Sequence, residues 1–308
     1  MMIFVACVFG NETFCFSSNH WNRRKNYVTP FTYSSPASLE SFTSRSRLVL
    51  TDMQYWHLLR IYYKPTIDSV PRARILLIGA VGAGKSSFFN SINSIFRGNI
   101  TSQANAGYQE TSLTLQYRIY QVKAGRGGQP LAFLLCDTMG LEPAPNRGVD
   151  TEDIVGILKG YIPDEYKFNP MQPFQAQAFN TLAKDRIHCV VYVMDSTSPG
   201  LLHPETKKKV DEIRKKINHE SQSLGKTGRE VATVIECVLL GGIDLGFKFI
   251  NIHQLGCLGI AESNVLPVKN YSSETELNDT SDILLLSAMK QMLNFSDNYI
   301  DNFDKDTH

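Results

Sequence analysis

The sequence predicts an α/β fold: a doubly wound, mostly parallel sheet with helices on both faces. Three observations predict it. Apolar runs of strand length recur at Ile75–Ile78, Leu131–Cys136 and His188–Asp195. Stretches of helical spacing fall between and after them, at Ser87–Phe96, Pro204–Glu220 and Thr280–Phe303. A glycine-rich turn joins the first apolar run to the first helical stretch. Continuous apolar strands of this kind are expected where a parallel sheet is covered on both sides.

That turn carries the first chemistry. Ile75 to Ser87 reads ILLIGAVGAGKSS, and Gly79, Gly84, Lys85 and Ser86 satisfy G-x-x-x-x-G-K-[ST] without mismatch. This is the P-loop of a P-loop NTPase, and strand, loop and helix fall where the motif needs them. Gly82 and Gly84 let the backbone turn tightly with N–H groups pointing at phosphate oxygens. The stretch Gly79, Gly82, Ala83, Gly84, Lys85, Ser86 and Ser87 is therefore the candidate nucleotide-phosphate site. Lys85 is expected to reach the β- and γ-phosphates and Ser86 to ligate Mg²⁺. The following helix presents its positive end to the same anion. Phe88, Phe89, Ile92, Ile95 and Phe96 give that helix its apolar spacing.

The second chemistry ends the Leu131–Cys136 run, as Asp137-Thr138-Met139-Gly140. An acid at the carboxyl end of a strand beside the P-loop strand can hold the Mg²⁺ hydration shell. The N–H of Gly140 can meet a γ-phosphate. The pattern favours a GTPase-like protein over a kinase or ATPase. Leu141 stands where many GTPases carry the glutamine that orients water. Leucine cannot do this, so hydrolysis is expected to be slow, to borrow a group such as Glu142, or to be absent, with Leu141 simply packing. Between the two motifs, Arg97–Ser112 lacks periodicity and sits where a nucleotide-sensing loop belongs; Thr111, with Ser112 as the other choice, is its candidate metal residue. The expected metal set is Ser86, Asp137 and Thr111.

Guanine selection usually rests on an [NT]-K-x-D tetrad, and none is present. Asp244, in Gly241-Gly242-Ile243-Asp244, is the nearest candidate for the base-binding aspartate. Val268-Lys269-Asn270, at a strand end, is better placed than Ser287-Ala288 for the last base-contacting loop. Gly225-Lys226-Thr227 imitates a P-loop end but lacks its first glycine and its strand.

The remaining elements fill the sheet. Leu113–Val122 alternates at Leu113, Leu115, Tyr117 and Ile119, as a half-buried edge strand, antiparallel to its neighbour. Lys123–Pro130 reads as a hairpin connection, Thr151–Leu158 as a short helix capped by Thr151, and Pro163–Gln177 as an irregular insertion. Val231–Leu240 and Val265–Tyr271 are further strands. His188 reads as a satisfied edge histidine. The runs Lys207-Lys208-Lys209 and Arg214-Lys215-Lys216 read as a solvated helix face, with an acidic partner as the alternative. Residues 1–70 are poorly readable, as an N-terminal segment or truncated domain plus linker, and 71–308 form the P-loop G-like domain.

Composition bounds the rest. The chain is 43% hydrophobic and 20% charged with a net charge of +1, which points to a globular protein and gives no sign of nucleic-acid binding. No apolar run approaches the ~20 residues of a bilayer span. The six cysteines show no metal-ligand spacing, and three fall in expected buried strands, as in a reducing cytoplasm.

Several long segments resemble the interferon-induced protein 44 family: GAVGAGKSSFFNSINSIFRG, YRIYQVK, LLCDTMGLE, DIVGILKGYIPDEYKFN, DRIHCVVYVMD, PVKNY and DILLLSAMKQML. The resemblance covers roughly Pro71 to Phe303, with a break from about His219 to Ile252. It implies a cytoplasmic, interferon-inducible protein binding GTP or GDP with Mg²⁺, with antiviral and antiproliferative associations and a link to microtubule-like aggregates. Family members carry a T-K-x-D-like segment where this chain reads GKTGREVATVIECVLLGGIDLG, and many begin with a TLDc domain that the first seventy residues do not resemble in full. Two functions follow. One is a GTP-binding protein with slow or no hydrolysis. The other is a non-catalytic scaffold that self-associates or binds an immune-signalling partner, its P-loop structural or phosphate-binding only. An ATP-dependent enzyme is disfavoured, because nothing suggests an adenine site or a phosphoryl acceptor.

Overall fold

The computed structural model describes residues 4–9, 12–17, 63–104, 115–144, 147–175, 181–195, 203–223, 235–241 and 264–305. The chain divides into two units, Met1–Leu59 and Arg60–His308. In the first, β1 (Phe4–Phe9) and β2 (Glu12–Ser17) pair antiparallel, with Phe4 opposite Ser17.

The second unit is built on a six-stranded sheet. Its strands are β3 (Ala73–Gly79), β4 (Arg118–Lys123), β5 (Pro130–Asp137), β6 (Cys189–Asp195), β7 (Ile235–Gly241) and β8 (Val265–Pro267), in the spatial order β4-β5-β3-β6-β7-β8. β4 is antiparallel to β5 and lies at the edge; every other pairing is parallel. Among the described residues the α-helices are α1 (Lys85–Arg97), α2 (Thr151–Leu158), α3 (Pro204–Ser223) and α4 (Asp279–Lys305). This is the α/β fold of the P-loop NTPases, GTPase-like in order. The chain turns from β3 toward β5 on one side and toward β6 on the other, so the carboxyl end of β3 lies at a switch point, where open sheets bind ligands.

Burial explains the layers. Ile75, Leu76, Leu77 and Ile78 are all fully buried, because helices cover both faces. Leu76 and Ile78 pack in one core with Val190, Tyr192 and Met194 of β6, Ile154 and Ile157 of α2, and Val210, Ile213 and Ile217 of α3. Ile75 and Leu77 alternate to the opposite face, the side taken by α1 and α4. There the ring of Phe89 stacks on Tyr120 at 4.1 Å and Phe96 lies tilted against Phe133.

The edge strand begins later than its alternation suggests. Leu115 is exposed, and the backbone of 115–117 instead pairs with 165–168: Tyr117 N–H donates to Tyr166 and Phe168 N–H to Leu115. β8 likewise stops at Pro267 rather than reaching Tyr271. The cap of α2 is Asp150, whose carboxylate accepts from the Glu152 N–H; Thr151, expected as the cap, is the first helical residue. His188 is satisfied: its Nδ1 accepts from the Arg74 N–H at 2.8 Å and its Nε2 lies 3.0 Å from the Ala183 carbonyl. Cys136 and Cys189 are buried free thiols, as small hydrophobes in the core. Among the described residues no helix is long and apolar enough to cross a membrane.

Candidate functional site

The loop between β3 and α1 is shaped by its glycines. A Cβ on Gly79 would stand 2.2 Å from the Val193 carbonyl oxygen of β6, so only glycine lets the two strands meet there. Gly82 and Gly84 have φ of 74° and 98°, in the left-handed region that other residues avoid. α1 starts on Gly84, which has no side chain to cap its first turn. An anion at that end would meet both the N–H groups of that turn and the helix dipole.

Lys85 is the first residue of α1 and is buried. Its Nζ turns back over the loop and donates to the carbonyls of Ala80 at 3.0 Å and Gly79 at 3.2 Å. Burial pushes its ammonium below the ordinary lysine range, against the opposing pull of Asp137. Asp137 ends β5 with no exposed surface. Its Oδ2 accepts from the Ser86 hydroxyl at 2.6 Å, while Oδ1 is buried without any hydrogen-bond partner. Burial raises the Asp137 carboxyl above its usual range, and the Lys85 charge and the Ser86 hydroxyl pull it back. A buried carboxylate oxygen with no partner, next to a hydroxyl, is a donor set that suits a hard cation such as Mg²⁺. Thr138 anchors the strand end by donating its hydroxyl to the Leu77 carbonyl.

The segment after Asp137 lies on the P-loop. The Leu141 N–H donates to the Gly79 carbonyl at 2.9 Å, and Leu141 forms a parallel bridge with Ala80. A Cβ on Gly140 would stand 2.6 Å from Cγ2 of Val81 and 2.9 Å from its backbone, so glycine is required for this approach. Of the roles left open for Leu141, packing is the one its placement serves: it is 1% exposed, within the core that holds Leu76, Ile78 and Cys136.

A third side of the site comes from the strand end after β8. Asn270 donates Nδ2 to the Gly84 carbonyl at 3.1 Å, and its Oδ1 is buried without a partner. The Tyr271 N–H donates to Ser91 of α1. Val268-Lys269-Asn270 thus stands against the phosphate loop, while Ser287-Ala288 lies inside α4. Thr111, Ser112, Asp244 and the Gly225-Lys226-Thr227 imitation lie outside the described residues.

Two features escaped the sequence reading. α1 is buried on its polar side as well. Asn90 accepts from the N–H groups of Gln103 and Ala104, and the Asn93 amide and Ser94 hydroxyl hold Thr101. Asparagine inside a helix was the available signal, since it seldom favours that position without a partner. The basic face of α3 is not wholly solvated, which corrects the expectation for that helix. Lys209 binds the carbonyls of Glu142, Ala144 and Arg147, and Lys216 binds the Thr151 hydroxyl and Glu152.

Residues 74–235 match the family model described as 50S ribosome-binding GTPase. The chain is 41% identical to human interferon-induced protein 44-like over 250 residues, 78% of this chain and 55% of that protein. The chain belongs to the interferon-induced protein 44 family, with a GTPase-like domain. Mouse interferon-induced protein 44 is 38% identical over 254 residues, covering 78% of this chain and 58% of its own length. The human protein of that name is 36% identical over 260 residues, covering 78% and 56%. This member spans a little over half the length of these relatives.

Proposed function

We propose that this chain is an interferon-inducible, cytoplasmic binder of guanine nucleotide and Mg²⁺ in the antiviral response, with slow or no hydrolysis. The observation that carries the reading is the Ser86–Asp137 pair with its unpartnered Oδ1, set beside Lys85 at the uncapped start of α1. In this reading Lys85 exchanges the loop carbonyls for β- and γ-phosphate oxygens. The N–H groups from Gly82 to Ser87 cradle the phosphates. Ser86 and Asp137 would hold Mg²⁺. The metal supplies charge neutralisation across the phosphates. Gly140 would meet the terminal phosphate, Thr111 would join the metal ligands, and Asp244 and Asn270 are the candidates to face the base. The relatives' names support interferon induction, and the GTPase-like domain supports the nucleotide. The burial of Leu141 supports weak turnover, since leucine at this position cannot orient water.

A second reading is a scaffold that self-associates or binds an immune-signalling protein. It is favoured by the way Lys85 is already satisfied by the Gly79 and Ala80 carbonyls, so that the loop closes on itself. Titration of purified protein with fluorescent GTP, with and without Mg²⁺, beside Lys85→Ala separates them. Saturable Mg²⁺-dependent binding that the variant loses supports the nucleotide reading. No binding by folded protein leaves the scaffold.

A further inference from the structure

The loop that follows Gly140 is closed on itself. The Val149 N–H donates to the Gly140 carbonyl, and Leu141 bridges to Gly148. Gly148 has φ of 74°, and a Cβ there would stand 2.5 Å from the Gly140 carbonyl oxygen and 2.7 Å from the Glu142 nitrogen. Among the described residues, the carbonyl oxygens of Glu142, Ala144 and Arg147 meet a cation from another element. Lys209 Nζ lies 2.7 Å from the Glu142 carbonyl, 3.0 Å from that of Arg147 and 3.3 Å from that of Ala144. An ammonium has three donors, and here all are used on one loop. Lys209 is held in turn by α3, whose Val210 and Ile213 are buried in the core. Lys216 repeats the contact two turns on, at the start of α2. The adjacent Lys208 instead pairs with Glu205 at the surface.

We propose that Lys209 is a positioning residue that holds the Gly140–Val149 loop against the P-loop, and thereby sets Gly140 for a terminal phosphate. Deleting the ammonium leaves Lys85, Ser86 and the P-loop backbone untouched, so the site for the α- and β-phosphates survives. What is lost is the fixed place of Gly140, which only a triphosphate uses. α3 then becomes the element through which the nucleotide's third phosphate is felt at the surface. The phosphate half of this inference rests on the nucleotide reading above; the closure of the loop does not.

The test compares Lys209→Met, which keeps the aliphatic stem, with Lys209→Arg and the surface control Lys208→Met. Two quantities are read: amide hydrogen exchange at Leu141 and Val149 without nucleotide, and the ratio of affinities for GTPγS and GDP in Mg²⁺. Lys209→Met is expected to speed exchange at both amides by about tenfold, as a local opening would. It lowers the GTPγS-to-GDP ratio about tenfold and leaves GDP affinity within about twofold, as a lost coupling between sites requires. Lys209→Arg recovers part of both effects, and Lys208→Met changes neither. Gly148→Ala opens the same ring from the loop side and is expected to lower the ratio with Lys209 intact. Exchange unchanged in Lys209→Met overturns the closure. Faster exchange with an unchanged ratio overturns the link to the terminal phosphate. Failure of the unaltered protein to bind either nucleotide overturns the nucleotide reading and the phosphate half together, while exchange still decides the closure.

Discussion

Leu141→Gln places the missing glutamine at the position that orients water in many GTPases. Its placement here predicts damage rather than gain. Leu141 is 1% exposed and packs with Leu76, Ile78 and Cys136. Replacing it forfeits about 1.5 kcal/mol or more of apolar burial. Burying the glutamine amide among these side chains costs a further ~1–3 kcal/mol. The total, about 3 kcal/mol, lowers the melting temperature of a unit of this size by roughly 6–12 °C. The backbone position is also fixed, because the Leu141 N–H is bound to the Gly79 carbonyl. The new side chain therefore points into the core and not at a phosphate. Thermal unfolding of the ligand-free protein and single-turnover hydrolysis of GTP are the assays. A variant with unchanged melting temperature and hydrolysis faster by about tenfold or more, the behaviour of a water-orienting glutamine, would show that the side chain at 141 faces the phosphates and not the core.

Further expectations follow from other buried contacts. Gly84→Ala forces an L-residue to φ of 98° and brings its Cβ to 2.9 Å from Asn270 Nδ2; urea unfolding should show a loss of ~1–3 kcal/mol. Asp150→Ala removes the carboxylate that accepts from the Glu152 N–H at the start of α2, and the same measurement should show a loss of about 1 kcal/mol. His188 is held near 4, against 6.5 when unfolded, by burial; the Ala183 carbonyl opposes this and the Arg74 charge adds to it. Between those values the unfolded chain binds the extra proton. The stability this group contributes is complete above pH 6.5 and falls by about 3 kcal/mol as the pH drops to 4. Asp297, pushed up to about 6 by burial, slopes the opposite way between its usual value and 6. The comparison is therefore with His188→Phe: equal pH slopes in the two proteins would contradict the assignment.

The sheet was legible because its strands are buried on both faces and so read as unbroken apolar runs. Ile75–Ile78 and His188–Asp195 lie within two residues of the bounds of β3 and β6. The edge was harder. Leu113–Val122 alternates as a strand should, yet its first part pairs with the Tyr166 region, a contact between distant segments that no local period reports. The phosphate loop was legible because its spacing is set by backbone geometry: the glycines occupy positive φ or close approaches, and Lys85 and Ser86 begin the helix. Asp137 was legible through its place at a strand end. The roles of Asn90, Lys209 and Asn270 were not. Each holds backbone carbonyl or N–H groups of another element, and any sequence offers such groups everywhere. Asn270 shows the limit well: a strand-end position suggested a base-contacting loop, but its bond to the Gly84 carbonyl depends on how β8 meets α1.

The proposed function requires that the site at the carboxyl end of β3 take a guanine nucleotide. Competition against fluorescent GTP in Mg²⁺, with unlabelled GTP, GDP and ATP, tests it most directly. Displacement by GTP and GDP, little displacement by ATP, and no signal with Lys85→Ala are expected. Equal displacement by ATP would contradict base selection and leave a phosphate site alone, and absence of any GTP signal from folded, unaltered protein would contradict the claim altogether.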